Sequence, residues 1–142
     1  KDKIYRNVFF NYSAERFRLM GYMLYVKLEY FSEYHASLMT LTREEQKRFS
    51  HKKGDTEGFV NIPLQIGKSR LSVFLREDTE RNNIRVSLSS VDDFPCNRMA
   101  AEFFNGGGHL NASGGELSCT MDEAVQIVRK ALKKYTSLLT DR

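Results

Sequence analysis

The chain has 142 residues, the length of one ordinary domain, and 41% of them are hydrophobic, which is enough to form a core. Its net charge of +4 is compatible with an anionic partner, and no block of like charge indicates a disordered tail. Two cysteines exclude a disulfide framework, and no apolar run has the length of a signal peptide or a membrane span, so we expect a cytoplasmic protein with no membrane contact.

The first forty residues predict one long helix between two shorter segments. Residues 1–12 are rich in aromatic side chains and suit a strand or a short connector. Ser13 is a suitable N-cap for a helix that reaches about Tyr30, because apolar residues recur there at three- and four-residue spacing. Residues 36–41 are apolar and predict a short strand.

A polar segment at residues 50–55 is the best candidate for a linker. Before it, Thr42 and Glu45 have the spacing of a capping box, which predicts a charged helix to about residue 49. We therefore divide the chain into a connector with a long helix, residues 1–50, and a domain, residues 51–142.

Beyond the linker, alternating apolar residues predict a β-hairpin. Residues 56–66 suit a helical turn or two, and the strands at 69–78 and 83–90 reverse direction at Asn82 and Asn83. The remaining predicted elements are a helix at 96–104, a strand at 115–119 and a final helix opened by the capping box of Thr120 and Glu123. Strands mixed with helices predict an α/β fold, a mixed β-sheet flanked by helices.

Glycines cluster around one histidine, with five of the nine glycines between residues 106 and 115 and His109 among them. Consecutive glycines can present their N–H groups inward as an anion-binding concavity, and a helical turn beginning at His109 would add partial positive charge there. The alternative is a connection between helix and strand in which the glycines allow close packing and His109 lies on the surface.

The chain offers no metal site or catalytic constellation of its own. None of the three histidines has a histidine or cysteine at ligand spacing, and Cys96 and Cys119 lie too far apart for a zinc motif. Asp92 and Asp93 are adjacent carboxylates after a strand, a pattern typical of a solvated turn. Arg76 and Arg85 fall within strands and Arg98 on a helix, where they either contact phosphate or belong to solvated faces.

Three stretches together resemble a known family: GFVNIPLQI, RVSLSS and CNRMAAEFFNGGGHLNASGG. They are similar to the C-terminal substrate-binding domain of the DHH phosphoesterase superfamily, and most similar to its nanoRNase and pAp phosphatase branch. The marker G-G-G-H-x-x-A-x-G is matched at every fixed position by residues 106–114. The resemblance covers residues 55–139, and residues 1–50 resemble the segment that joins this domain to the catalytic domain.

The resemblance implies that this chain is the substrate-binding part of a manganese-dependent hydrolase for short oligoribonucleotides or pAp-type nucleotides. Mn²⁺ would be bound by an N-terminal DHH domain of the same parent chain, because no Asp-His-His motif occurs here. No catalytic residue or metal ligand is then expected in this chain, and a homodimer is also possible. The resemblance assigns the phosphate and nucleotide to Gly106, Gly107, Gly108, His109, Ser89, Arg85, Arg98 and Asn111.

One position departs from the family pattern. The strand motif often carries an arginine that grips phosphate, and Ser89 stands there instead. A serine hydroxyl lacks the charge and the two-pronged geometry of a guanidinium, so Arg85 or Arg98 would have to compensate. Two other functions stay open: a non-catalytic RNA-binding module, and a hydrolase of polyphosphate or linear dinucleotides from the same superfamily.

Overall fold

The computed structural model describes residues 12–140. The strand or connector predicted for residues 1–12 therefore lies outside the described residues, apart from Tyr12. Within the described part of the chain, no helix is long and apolar enough to cross a membrane.

The described residues form six strands, five α-helices, one 3₁₀ helix and one π-helical turn. The helices are α1 (Ala14–Tyr22), α2 (Arg43–Arg48), α3 (Cys96–Phe103), α4 (Met121–Lys134) and α5 (Thr136–Thr140). The strands are β1 (Glu29–Phe31), β2 (Ala36–Leu41), β3 (Leu71–Glu77), β4 (Ile84–Ser90), β5 (Gly107–His109) and β6 (Ala112–Leu117). The π-helical turn is Met23–Lys27, and the 3₁₀ helix is Phe59–Gln65.

All six strands belong to one sheet, in the order β1-β2-β3-β4-β6-β5. The β2–β3 pair is parallel, whereas the other neighbouring pairs are antiparallel. This confirms the predicted mixed sheet flanked by helices. The sheet combines β1 and β2 with the four later strands, so it contains residues from both sides of residue 50. The division into a connector and a domain at that residue stays a prediction.

Different helices pack on the two sides of the sheet. The side that carries Val73, Val86 and Leu88, which we call the helix face, packs against α3, α4 and α5. The opposite side, which we call the cleft face, is covered at one end by α1 and the 3₁₀ helix, where Phe74 meets Phe59. The 3₁₀ helix also reaches β4, where Asn61 meets Ser89, whereas His109 of β5 and Ala112 of β6 are exposed on this face.

Local sequence signals placed most helix starts correctly. The side chain of Ser13 accepts a hydrogen bond from the Arg16 N–H at 3.1 Å, so it is the predicted N-cap. Both predicted capping boxes form, one at Thr42 and the other at Thr120. The strand at residues 36–41, the β3–β4 hairpin and helix α3 are also confirmed.

The first helix is shorter than predicted. It ends at Tyr22, and the chain continues through the π-helical turn into β1 instead of staying helical to Tyr30. Leu28 is extended, and its N–H donates to the Met23 carbonyl at 2.8 Å, which closes the wider turn. The apolar spacing persists across this change because residues of both segments pack on the cleft face.

Asp92 and Asp93 form ion pairs, although both side chains are largely exposed as expected for a turn. The guanidinium of Arg70, which is buried, lies 3.6 Å from a carboxylate oxygen of Asp92 and 2.8 Å from one of Asp93. Arg70 also donates to the Leu138 carbonyl at 3.0 Å. These contacts tie the start of β3 to α5, which is a structural role.

Candidate phosphate site on the cleft face

The glycine segment folds as a β-hairpin. Gly107 pairs with Gly114, Gly108 with Ser113 and His109 with Ala112. The helical turn considered for the residues after His109 is therefore wrong, since Leu110 and Asn111 form the hairpin turn. The predicted strand at 115–119 instead begins at Ala112, and β5 was not predicted at all.

The fold requires some of these glycines but not all of them. A Cβ atom on Gly106 would collide with the Gly114 carbonyl, and one on Gly115 would collide with the Phe104 carbonyl. Gly108 has φ +144°, and its Cβ would lie 2.8 Å from the Ala112 carbonyl oxygen. A Cβ on Gly107 would meet nothing within 4 Å, so close packing within the chain does not explain this glycine.

Strand alternation puts the polar site residues on the cleft face. Side chains alternate between the two sides of a sheet, and paired residues share a side. The register of β3 to β6 therefore places Arg85, Ser87, Gly107 and His109 on the cleft face. A cavity of about 450 Å³ opens there, and its lining includes Arg76, Arg85, Ser87, Gly107, Gly114 and Glu116.

His109 lies on the same face of the sheet as this cavity, outside its lining, and its ring is exposed. The residue is exposed, and its ring makes no hydrogen bond to any residue between 12 and 140. Its backbone is nevertheless fixed, because its carbonyl accepts from the Ser113 hydroxyl at 2.7 Å. An anchored backbone with an unoccupied ring suits a residue that donates a hydrogen bond to a ligand.

Ser89 and Asn111 are engaged in holding the hairpin. The Ser89 hydroxyl, which is 5% exposed, donates to Asn61 Oδ1 at 2.6 Å. Asn111 Nδ2 donates to Ser90 Oγ at 2.9 Å and to the Asp92 carbonyl at 3.2 Å. Both predicted ligand contacts are thus occupied by neighbours, and these side chains position the hairpin against β4.

Two arginines lie directly opposite each other at the far end of the cavity. Arg76 pairs with Arg85 in the β3–β4 register, and both side chains line the cavity. Arg85 makes an ion pair of 3.5 Å with Glu116. Burial lowers the pKa of Arg76, and the positive charge of Arg85 lowers it further, while Asp78 opposes the change. Arg76 was not among the eight predicted ligand residues, although its place in an alternating strand next to Arg85 was a usable signal.

Comparison with known proteins assigns the fold. Residues 35–137 match the family model described as the DHHA1 domain, which is well over half of the chain. The chain belongs to the DHHA1 family. This confirms the predicted resemblance to a C-terminal domain of the DHH superfamily.

Two solved structures share this DHHA1 fold. An exopolyphosphatase-related protein from Bacteroides fragilis is 58% identical with a TM-score of 0.91, and the match covers 97% of this chain and 40% of that chain. A pGpG-specific phosphodiesterase, PggH from Vibrio cholerae, has a TM-score of 0.60 at 14% identity and shows the fold alone, over 84% of this chain and 39% of that chain. A search of curated proteins gave no significant match.

The DHHA1 domain does not bring Arg98 to the cavity. Arg98 is exposed on α3, which packs on the helix face, and it interacts electrostatically with Glu102 and Tyr135. Of the eight predicted ligand residues, the glycines, His109 and Arg85 lie at the hairpin or the cavity, Ser89 and Asn111 lie beside them, and Arg98 lies on the other side of the sheet. An isolated helix position in a sequence does not say which side of the sheet it will cover.

The described residues of the DHHA1 domain do not fit a bound manganese ion. Between residues 12 and 140, no group of three or more His, Cys, Asp or Glu side chains could hold a metal ion. We therefore assign no chemical step through a metal to these residues.

Proposed function

We propose that this DHHA1 domain is the substrate-binding part of a manganese-dependent phosphoesterase that acts on short oligoribonucleotides or pAp-type nucleotides. One observation carries the proposal. The exposed ring of His109, the backbone of Gly107 and the guanidinium of Arg85 share one side of the sheet, where Gly107 and Arg85 line a cavity of about 450 Å³.

Each of these groups has a role in binding a phosphate. The ring of His109 donates a hydrogen bond to a phosphate oxygen at the hairpin. Arg85 lies near the opposite end of β4 and supplies a positive charge and several N–H donors to another anionic group of the ligand. Gly107 leaves space for the nucleotide to approach the backbone, since no neighbour within the chain fills it. The ion pair of Arg85 with Glu116 is about half exposed on both sides, so a phosphate can replace Glu116 at little cost.

Hydrolysis itself belongs, in this proposal, to a separate metal-binding domain of the same protein. A manganese ion bound there supplies an activated water. The DHHA1 domain binds the nucleotide and orients its phosphate toward that domain. The DHHA1 match and the name of the Bacteroides fragilis protein support a phosphate-ester or phosphoanhydride substrate, and the latter keeps polyphosphate as the alternative.

The test is calorimetric titration of the chain with pAp and with a 5′-phosphorylated dinucleotide. We expect binding by the wild-type chain and a loss of 10-fold or more in affinity for His109→Ala, about the worth of one hydrogen bond to a charged group. Lys130→Ala is the matched control, because Lys130 is exposed on α4 at the helix face. Absence of binding at millimolar ligand by the folded wild-type chain would contradict the proposal, as would equal affinities for wild type and His109→Ala.

A further inference from the structure

Arg76 is a half-buried cation that lies next to another cation. It faces Arg85 directly across two antiparallel strands, an arrangement that destabilises a sheet when the charges are alike. Arg85 has Glu116 as an ion-pair partner at 3.5 Å. Among residues 12–140, Arg76 has no such close ion pair, and the carboxylate of Asp78 attracts it from a longer distance. Two adjacent guanidinium groups at the wall of a cavity suit an anionic ligand, which would bind between them.

A second, larger cavity begins at the same two arginines. Its volume is about 1110 Å³, and it extends from Arg76 and Arg85 toward α2 and the segment after it. Lys47, His51 and Lys53 line its other side. His51 Nε2 is buried and has no hydrogen-bond partner among the described residues. The pKa of His51 is lowered by burial and then by the positive charge of Arg76, which shows that the two groups share one environment.

We propose that Arg76 and Arg85 form a second phosphate position that binds the next phosphate of an oligoribonucleotide, with the adjoining nucleoside in the larger cavity. This inference rests on the proposed function, because the first phosphate is the one at the glycine hairpin. Both arginines line both cavities, so one continuous ligand can contact the hairpin and the arginine pair.

The charges of the larger cavity favour an oligonucleotide over polyphosphate. Glu44, Asp78 and Glu80 line it together with the cations. A polyphosphate carries negative charge on every unit and would meet these carboxylates, whereas a nucleoside between two phosphates is uncharged.

The experiment compares ligands with one and two phosphates on the same chain. We titrate wild type, Arg76→Gln, Arg76→Lys and the control Lys130→Gln with 5′-AMP, 5′-phosphorylated diadenylate and tripolyphosphate. For wild type we expect the diadenylate to bind about 10-fold or more tightly than AMP, because one charge-assisted phosphate contact is added. Arg76→Gln should lose this gain, keep its affinity for AMP and unfold at no lower temperature than wild type.

Salt dependence and the lysine variant separate direct contact from a structural effect. Arg76→Gln should reduce the slope of log K against log salt for the diadenylate by up to about 1, as expected for the loss of one phosphate contact. Arg76→Lys should keep most of that slope, since the charge remains.

The outcomes distinguish this inference from the proposed function. If AMP and the diadenylate bind equally well, or Arg76→Gln keeps the full gain, the second phosphate position is wrong while the hairpin site stands. If only tripolyphosphate shows a gain that depends on Arg76, the assignment to an oligonucleotide is wrong. If no ligand binds the folded chain, the proposed function fails and this inference fails with it.

Discussion

At the scale of single residues, adjacent glycines of the hairpin have opposite reasons to be glycine. Gly106 is enclosed, because a Cβ there would collide with the backbone of β6. Gly107 has open space on the cleft face and no neighbour within 4 Å of a Cβ. Gly106 is therefore required by the fold, whereas we propose that Gly107 allows a nucleotide to approach the backbone.

Alanine substitution separates these two roles. We expect Gly106→Ala to lower the free energy of unfolding by about 1–3 kcal/mol or more, the usual cost of forcing extra volume against a fixed backbone. Gly107→Ala should leave the unfolding midpoint unchanged within error but weaken pAp binding, because its methyl group occupies the space of the ligand. Thermal unfolding and calorimetric titration of both variants provide the check, and a strongly destabilised Gly107→Ala would contradict this division.

The sequence predicts the position of a candidate site residue where a local motif or a strand fixes that position. It does not predict contacts with residues far away in the chain. His109, Gly107 and Arg85 carry the family marker or lie in an alternating strand, and the sheet brings them to one side. The occupied hydrogen bonds of Ser89 depend on Asn61, which is 28 residues away in the chain. Arg98 lies on the other side of the sheet, which a helix position alone does not specify.

At the scale of elements, Glu45 joins three segments near the N-terminus. Its carboxylate accepts from the Thr42 N–H at 2.9 Å in the capping box of α2. It also accepts from Lys27 of the π-helical turn at 2.8 Å and from the Tyr22 hydroxyl at the end of α1. Burial raises the pKa of Glu45, but the hydrogen bonds from Lys27, Tyr22 and Thr42 outweigh it, and the net pKa is lowered.

This lowered pKa gives a pH dependence of stability with a definite sign. A carboxyl group whose pKa is depressed by folding stabilises the fold above its unfolded pKa, about 4.3 for glutamate, and loses that contribution as the pH falls through the folded pKa. We expect Glu45→Gln to cost about 1.5–3 kcal/mol of unfolding free energy at pH 7, the worth of hydrogen bonds to a charged group. The difference from wild type should shrink as the pH falls below about 4.

Chemical denaturation at neutral and acidic pH measures both parts of this prediction. Glu15→Gln is the matched control, because the side-chain contact of Glu15 within residues 12–140 is an exposed ion pair of 3.4 Å with Arg18. That variant should stay within about 0.5 kcal/mol of wild type. A loss for Glu45→Gln that is independent of pH would show that the lowered pKa is not the source of the stability.

Helices and strands with clear patterns among neighbouring residues were predicted from the sequence. Short strands that form only because they pair with a neighbouring strand were not. The capping boxes and the β3–β4 hairpin depend on residues a few positions apart, so the sequence shows them directly. The strands β1 and β5 have three residues each. This is too short to show the alternation of apolar and polar residues that identifies a strand in a sequence. In β5 two of the three are glycines, which gave the segment the appearance of a loop.

At the scale of the whole molecule, the apolar cluster of the helix face and the proposed binding site lie on opposite sides of the sheet. The helix face is closed by α3, α4 and α5 around an apolar cluster. The cleft face is covered only in part, and both cavities open on it where Arg76 and Arg85 meet. Such a division could not be derived from composition, because the net charge of +4 does not say on which side the cations collect.

The most direct measurement is a titration of the ¹⁵N-labelled chain with pAp, followed by amide chemical shifts in two-dimensional NMR spectra. We expect shifts that concentrate on Gly107, His109 and Gly114, with Arg98 and the exposed side of α4 unchanged. The shifts should be much smaller in His109→Ala. Shifts centred on the helix face, or none at millimolar pAp in a folded chain, would contradict a phosphate site on the cleft face.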